Sequence, residues 1–162
     1  MTANVTKIGM AEVCTANHPA VLVTLGLGSC VGICLYDKTK KIVGMAHIML
    51  PSSKDIKNNS NRAKFADTAV ELLITGMVKY GAERRRITAK IAGGAQMFSF
   101  SSANELMRIG ERNVHAVREE LKRLTIPILA EDVGGNYGRT IEFYSENGAL
   151  GVKTIGHGIS VI

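Results

Sequence analysis

Residues 24–30 read Thr-Leu-Gly-Leu-Gly-Ser-Cys, and seventeen positions after Cys30 comes His47, within Gly44-Met-Ala-His-Ile-Met-Leu-Pro51. A thiol becomes a useful nucleophile near neutral pH when a base takes its proton. Two apolar runs, Val31–Tyr36 and Ile42–Leu50, lie between and around these residues, separated by the polar stretch Asp37-Lys38-Thr39-Lys40-Lys41. This pattern predicts a β-hairpin. A two-residue turn at Lys38-Thr39 pairs residues whose numbers sum to 77, setting Cys30 directly opposite His47. Opposed residues share a face with Cβ atoms about 5 Å apart, close enough for a Cys–His dyad. A three-residue turn would place the two on opposite faces, so the inference depends on the turn.

Each of these residues has a plainer competitor. A free cysteine is most often a small buried hydrophobe. Cys30, however, follows the side-chain-poor turn Gly26-Leu27-Gly28-Ser29, which exposes backbone N–H groups and permits close approach of a substrate. His47 sits on an apolar strand, where a satisfied core histidine is the usual outcome; its expected place across from Cys30 argues for chemistry. Cys34, four residues along the same strand, and Cys14, without local context, read as core. A zinc site from Cys30, Cys34 and His47 is disfavoured, because Cys-x3-Cys on one strand is not a zinc-knuckle spacing. His18 and His157 read as loop residues, and His115 lies off the apolar stripe of its helix. Gly26-x-Gly28 and Gly134-Gly135-Asn136-Tyr137-Gly138 lack the Gly-Lys-Ser/Thr of a phosphate loop and a full Gly-x-Gly-x-x-Gly, and read as turns.

The elements that must hold such a site come from the rest of the chain. With 162 residues, 46% of them apolar, one domain spanning 1–162 can bury its own core, and scarce aromatics make that core aliphatic. Val5–Ile8, Val21–Leu25, Ile87–Ala92, Ile126–Glu131, Thr140–Tyr144 and Leu150–Ile155 read as strands, the last two joined by the hairpin signal Asn147-Gly148. Ala66, Val70, Leu73 and Met77 mark an amphipathic helix ending at Gly81; Val114, Val117, Leu121 and Leu124 mark another, closed by Pro127. About seven strands and two main helices imply α+β, a single-domain sandwich with helices packed on a mixed sheet. Pro51–Arg62 is polar and turn-rich, a mobile loop that begins four residues after His47 and could cover a substrate. Met97-Phe98-Ser99-Phe100 gathers large apolar groups after a glycine turn, making Phe98 and Phe100 candidates for a partner patch.

The formal net charge of +6 fits a solvated basic surface or an acidic partner. Nucleic acid is not indicated, since Arg84-Arg85-Arg86 has no interleaved aromatics and comes after a helix C-terminus, where positive charge is favoured. The N-terminus has no apolar signal segment. The uncharged stretch Pro19–Tyr36 is broken by glycines and reads as strand, turn and strand, not as a membrane span. A cytoplasmic protein without membrane insertion is the expectation.

Five segments in register carry a resemblance. Thr24–Cys30, Gly44–Pro51, Lys90-Ile-Ala-Gly-Gly-Ala-Gln-Met-Phe98, Ile109-Gly-x-Arg-Asn113 and Ala130-Glu-Asp-x-Gly-Gly-Asn136 resemble the chemoreceptor glutamine deamidase family, CheD. The resemblance implies a chemotaxis protein that converts glutamine side chains on receptor cytoplasmic helices to glutamate. It implies a fold similar to deamidating bacterial toxins, with Cys30 as nucleophile, His47 as base and Thr24 as the support of the imidazole. It further implies binding of CheC, a phosphatase of the response regulator, and neither cofactor nor metal. Backbone N–H groups of the turn at Gly28 and Ser29, beside Cys30, are the oxyanion-hole candidates. The alternative is a binding module that acts by docking on CheC or receptor, with its chemistry secondary.

Overall fold

Val31–Asp37 (β4) and Ile42–Ile48 (β5) are buried at every position. A strand reaches that state only when both its faces are covered, which is why these two segments read as near-continuous apolar runs. The computed structural model describes residues 2–97 and 108–162. In it β4 and β5 lie inside a sheet completed by Val13–Asn17 (β2), Ile87–Gly93 (β6) and Ile128–Val133 (β7), in the order β2-β5-β4-β6-β7. A second sheet contains Asn4–Ile8 (β1), Ala20–Leu27 (β3), Arg139–Tyr144 (β8), Leu150–Thr154 (β9) and Gly158–Val161 (β10), in the order β1-β3-β8-β9-β10. Each sheet has one parallel pair, β6–β7 and β1–β3, and is otherwise antiparallel.

Three layers result. Ala66–Lys79 (α1) and Ile109–Arg123 (α2) cover the outer face of the β4–β5 sheet through Ile33, Leu35, Val70, Leu73, Val117 and Leu121. The second sheet covers the inner face through Leu22, Leu27, Phe143 and Val152, meeting Cys34, Met45 and Ala92. Fully burying one such aliphatic side chain contributes about 1.5–3 kcal/mol, so the two interfaces are the main source of stability. The α+β class holds, with the strands divided between two mixed sheets. Ala66, Val70, Leu73 and Met77 are buried as their spacing predicts, as are Val114, Val117 and Leu121.

The hairpin register differs from expectation, and the cause is local. Asp37 pairs with Ile42, leaving the four residues 38–41 as the turn. The Asp37 Oδ1 accepts from the N–H groups of Thr39 (3.0 Å) and Lys40 (3.2 Å), and Lys41 takes a left-handed φ of 52° to re-enter the strand. Gly32, not Cys30, therefore stands opposite His47, and Cys30 lies just ahead of β4. Because the slip is an even number of residues, Cys30 keeps the face of His47. Asp37 is also gripped by the Arg86 guanidinium, at 3.1 Å to each carboxylate oxygen, and by the Glu83 N–H at 2.9 Å. Burial works to raise its carboxyl, yet these hydrogen bonds and the Arg86 charge hold it below the usual range. One member of the basic run thus anchors the hairpin from a single 3-10 turn, Arg84–Arg86.

β2 and β10 escape the sequence reading, and β7 begins two residues later than expected. Pro51–Arg62 is an exposed run of bends and turns, tied by the Ser53 N–H and Oγ to Asp67 (3.0 Å each) and by Asn61 Nδ2 to the Ala11 carbonyl (3.2 Å). Met97 is exposed; Phe98 and Phe100 lie outside the described residues.

Candidate active site

The second sheet supplies the support of the imidazole. β3 pairs in regular register with β8 up to Thr24, opposite Ile141, and then bulges before Leu27 pairs with Arg139. Such an irregularity bends a strand and re-aims the residues beyond it, here the turn to Cys30. Thr24, fully buried at the inter-sheet face, places its Oγ1 2.7 Å from His47 Nδ1 and 2.9 Å from the Ile8 carbonyl. A hydroxyl carries one hydrogen, and a carbonyl can only accept. The Thr24 O–H therefore donates to Ile8, and His47 Nδ1–H donates to Thr24. That assignment leaves Nε2 as the unprotonated nitrogen. His47 is fully buried, and among the described residues Nε2 has no hydrogen-bond partner. Burial lowers the His47 pKa below its ordinary 6.5, so the imidazole is neutral at physiological pH.

Cys30 is 9% exposed, the most accessible point of the inter-sheet cluster to which it belongs. Burial pushes its thiol up, while its own backbone N–H favours the thiolate and works the other way. The Cys30 carbonyl accepts from the Gly94 N–H at 2.8 Å. This close approach requires glycine at position 93: with φ at 115°, a Cβ there would meet the Cys30 carbonyl oxygen at 2.3 Å. Gly28 and Ser29 turn their carbonyls inward, to the Ala95 N–H (2.8 Å) and the Asn113 amide (2.9 Å). Cys30, His47 and Thr24 thus converge on one end of the inter-sheet layer. His47 is neutral with a bare Nε2, and Cys30 lies two residues ahead of Gly32, the residue that stands opposite His47.

The remaining candidates separate from this group. Cys34 is fully buried against Met45, with its thiol strongly raised by burial. Cys14 is half-buried on the edge strand β2. His115 is exposed on α2, and His157 stacks on Tyr137 with ring centroids 4.2 Å apart. No described helix is long and apolar enough to cross a membrane, and among the described residues no three His, Cys, Asp or Glu side chains gather as a metal site. Sequence reasoning missed Asn113. A polar residue beside a helix's apolar stripe reads as surface, and only its place in the Ile109-Gly-x-Arg-Asn113 segment singled it out.

Residues 49–154 match the family model described as CheD chemotactic sensory transduction. The chain belongs to the CheD family. A probable chemoreceptor glutamine deamidase CheD of Caldanaerobacter subterraneus subsp. tengcongensis is 57% identical over 162 residues, covering 100% of both chains. The chemoreceptor glutamine deamidase CheD of Halalkalibacterium halodurans is 55% identical over 156 residues, 96% of each chain. A probable CheD of Syntrophomonas wolfei is 56% identical over 160 residues, 99% of each. The match to the CheD relatives spans both sheets and the segments that carry Thr24, Cys30 and His47.

Proposed function

We propose that this protein, as one deamidase domain over residues 1–162, hydrolyses glutamine side chains of chemoreceptor cytoplasmic helices to glutamate, with Cys30 as nucleophile. The observation that carries the reading is the chain of hydrogen bonds from His47 Nδ1 through Thr24 to Ile8, which leaves Nε2 free to act as base. His47 Nε2 takes the Cys30 proton as sulfur attacks the amide carbon, and the oxyanion is met by the backbone N–H of Cys30 and its turn, Gly28-Ser29. The C–N bond breaks as the imidazolium returns its proton to nitrogen, releasing ammonia and leaving a thioester. Water then attacks the thioester carbon, His47 accepts its proton, and glutamate and the free thiol are regenerated. Nothing in these steps calls for a metal or cofactor.

The excess of positive charge suits receptor helices rich in carboxylates, and each turnover adds one more negative charge to them. Three free cysteines accord with action in the cytoplasm. We place CheC docking on the same end of the molecule. There the exposed Met97 lies against Gly28, next to the Cys30 turn. The deciding measurement is intact mass of a receptor cytoplasmic fragment after incubation with the protein. Each amide converted to acid adds about one dalton; an unchanged mass under conditions in which the two proteins associate would favour the docking alternative.

Thr24→Val isolates the support of the imidazole. It keeps the shape of the side chain but leaves His47 Nδ1–H buried without its partner and removes the hydroxyl's bond to the Ile8 carbonyl, a loss of roughly 1–3 kcal/mol. We expect a lower melting temperature and a fall in kcat smaller than that from removing His47. Wild-type kcat in the mass assay would show that Thr24 is only a packing residue.

A further inference from the structure

Asn113 is a polar side chain fully buried on α2, and its amide reaches both the segment leading into β4 and the one leaving β5. Its Nδ2 donates to the Ser29 carbonyl at 2.9 Å and to the Met49 carbonyl at 3.0 Å. Two carbonyl partners fix the orientation of the amide, since the oxygen in that place would face two acceptors. Its Oδ1 is buried with no protein partner among the described residues, a cost that an apolar residue of similar size would avoid. The fork must therefore do something that packing alone would not.

What it holds is specific. The carbonyls of Gly28, Ser29 and Cys30 accept, in turn, from Ala95 N–H, Asn113 Nδ2 and Gly94 N–H. Of the three, only the bond to Ser29 comes from a side chain. In a planar trans peptide the carbonyl and the following N–H point in opposite directions. Holding the Ser29 oxygen toward α2 thereby aims the Cys30 N–H, the group that favours the Cys30 thiolate, away from the helix. The second arm holds Met49, two residues beyond His47. Gly110 lets the helix come this close: a Cβ there would meet the Ala95 carbonyl oxygen at 2.3 Å.

We propose that Asn113 is a positioning residue of the deamidation reaction: one amide fixes the Ser29–Cys30 peptide, and with it the oxyanion-binding N–H, relative to the strand that carries the base. This rests on the proposed roles of Cys30 and His47. The test uses the full chain with Asn113→Ala and the near-isosteric Asn113→Asp, each confirmed folded by circular dichroism. Steady-state deamidation of a receptor fragment is measured beside the rate of Cys30 alkylation by iodoacetamide as a function of pH.

Both variants should lose roughly ten- to a hundredfold in kcat, the scale of a misplaced reacting group, with KM changed by less than about twofold. The Cys30 alkylation profile should move to higher pH, since the N–H that favours the thiolate is no longer aimed. Asn113→Asp should regain part of its activity relative to Asn113→Ala as pH falls, because a protonated carboxyl donates one of the two lost hydrogen bonds. Wild-type kcat in either folded variant, or an unmoved alkylation profile, overturns the proposal. If Asn113→Ala does not fold, Asn113→Asp alone decides. The alkylation readout needs no turnover, so it stands apart from the deamidase reading, which fails instead if Cys30→Ala remains active.

Discussion

Cys30→Ala should yield a folded protein without measurable glutamine turnover. The substitution removes one sulfur at the most accessible point of the inter-sheet cluster, beside turn carbonyls held by backbone donors that stay in place. The fold should therefore survive with a small loss of melting temperature. The chemistry should not, because no other thiol can substitute. Cys34 is sealed between the sheets with its thiol strongly raised, and Cys14 stands opposite Met45 on the edge strand β2, its thiol also raised by burial. Losing the atom that forms the thioester costs at least about a thousandfold in rate. Cys14→Ala and Cys34→Ala should retain turnover wherever they remain folded. Intact-mass analysis of a receptor fragment reads all three, and residual conversion by Cys30→Ala above the enzyme-free background would remove the nucleophile from the mechanism.

His47→Ala is expected to be nearly as damaging, and the double variant no worse than Cys30→Ala alone, since residues acting as one unit do not add. The pH dependence supplies a second check with a definite sign. Burial depresses the His47 pKa below 6.5, so the neutral base persists as pH falls past 6.5 and is lost only further down. The acid limb of kcat/KM should accordingly lie below pH 6.5 in the wild type and be absent from whatever activity His47→Ala retains. Folding obeys the same linkage. The unfolded chain takes up this proton near 6.5 while the folded chain still refuses it, so stability should decline as pH drops below that value. An active His47→Ala variant, or an acid limb centred above 6.5, would exclude His47 as the base.

The parts of this site that were legible from sequence are those set by short-range pattern. The strand periodicity around Cys30 and His47 gave the shared face, because parity survives any even slip of the hairpin. Their direct opposition was not legible, since it depended on Asp37 capping a four-residue turn and on Lys41 entering the left-handed region. β2 reads poorly because Val13-Cys-Thr-Ala-Asn17 is half-buried on both faces, and Gly158–Val161 because every residue of that edge strand is exposed. The division into two sheets rests on pairings between distant segments, such as Thr24 with Ile141, that no local window contains. Asn113 belongs to the same class. Its partners, Ser29 and Met49, are set only by how α2 packs, while the residue itself looks like one more polar position on a charged helix.

The bond between Thr24 and His47 joins one sheet to the other, and β3 owes its place to β8, more than a hundred residues further along the chain. The proposed general base would thus lack its support until Arg139–Tyr144 has been synthesised and docked. A partly made or partly unfolded copy would carry Cys30 but not an oriented His47. On the proposed mechanism, amide-cleaving capacity would be licensed only by completion of the fold.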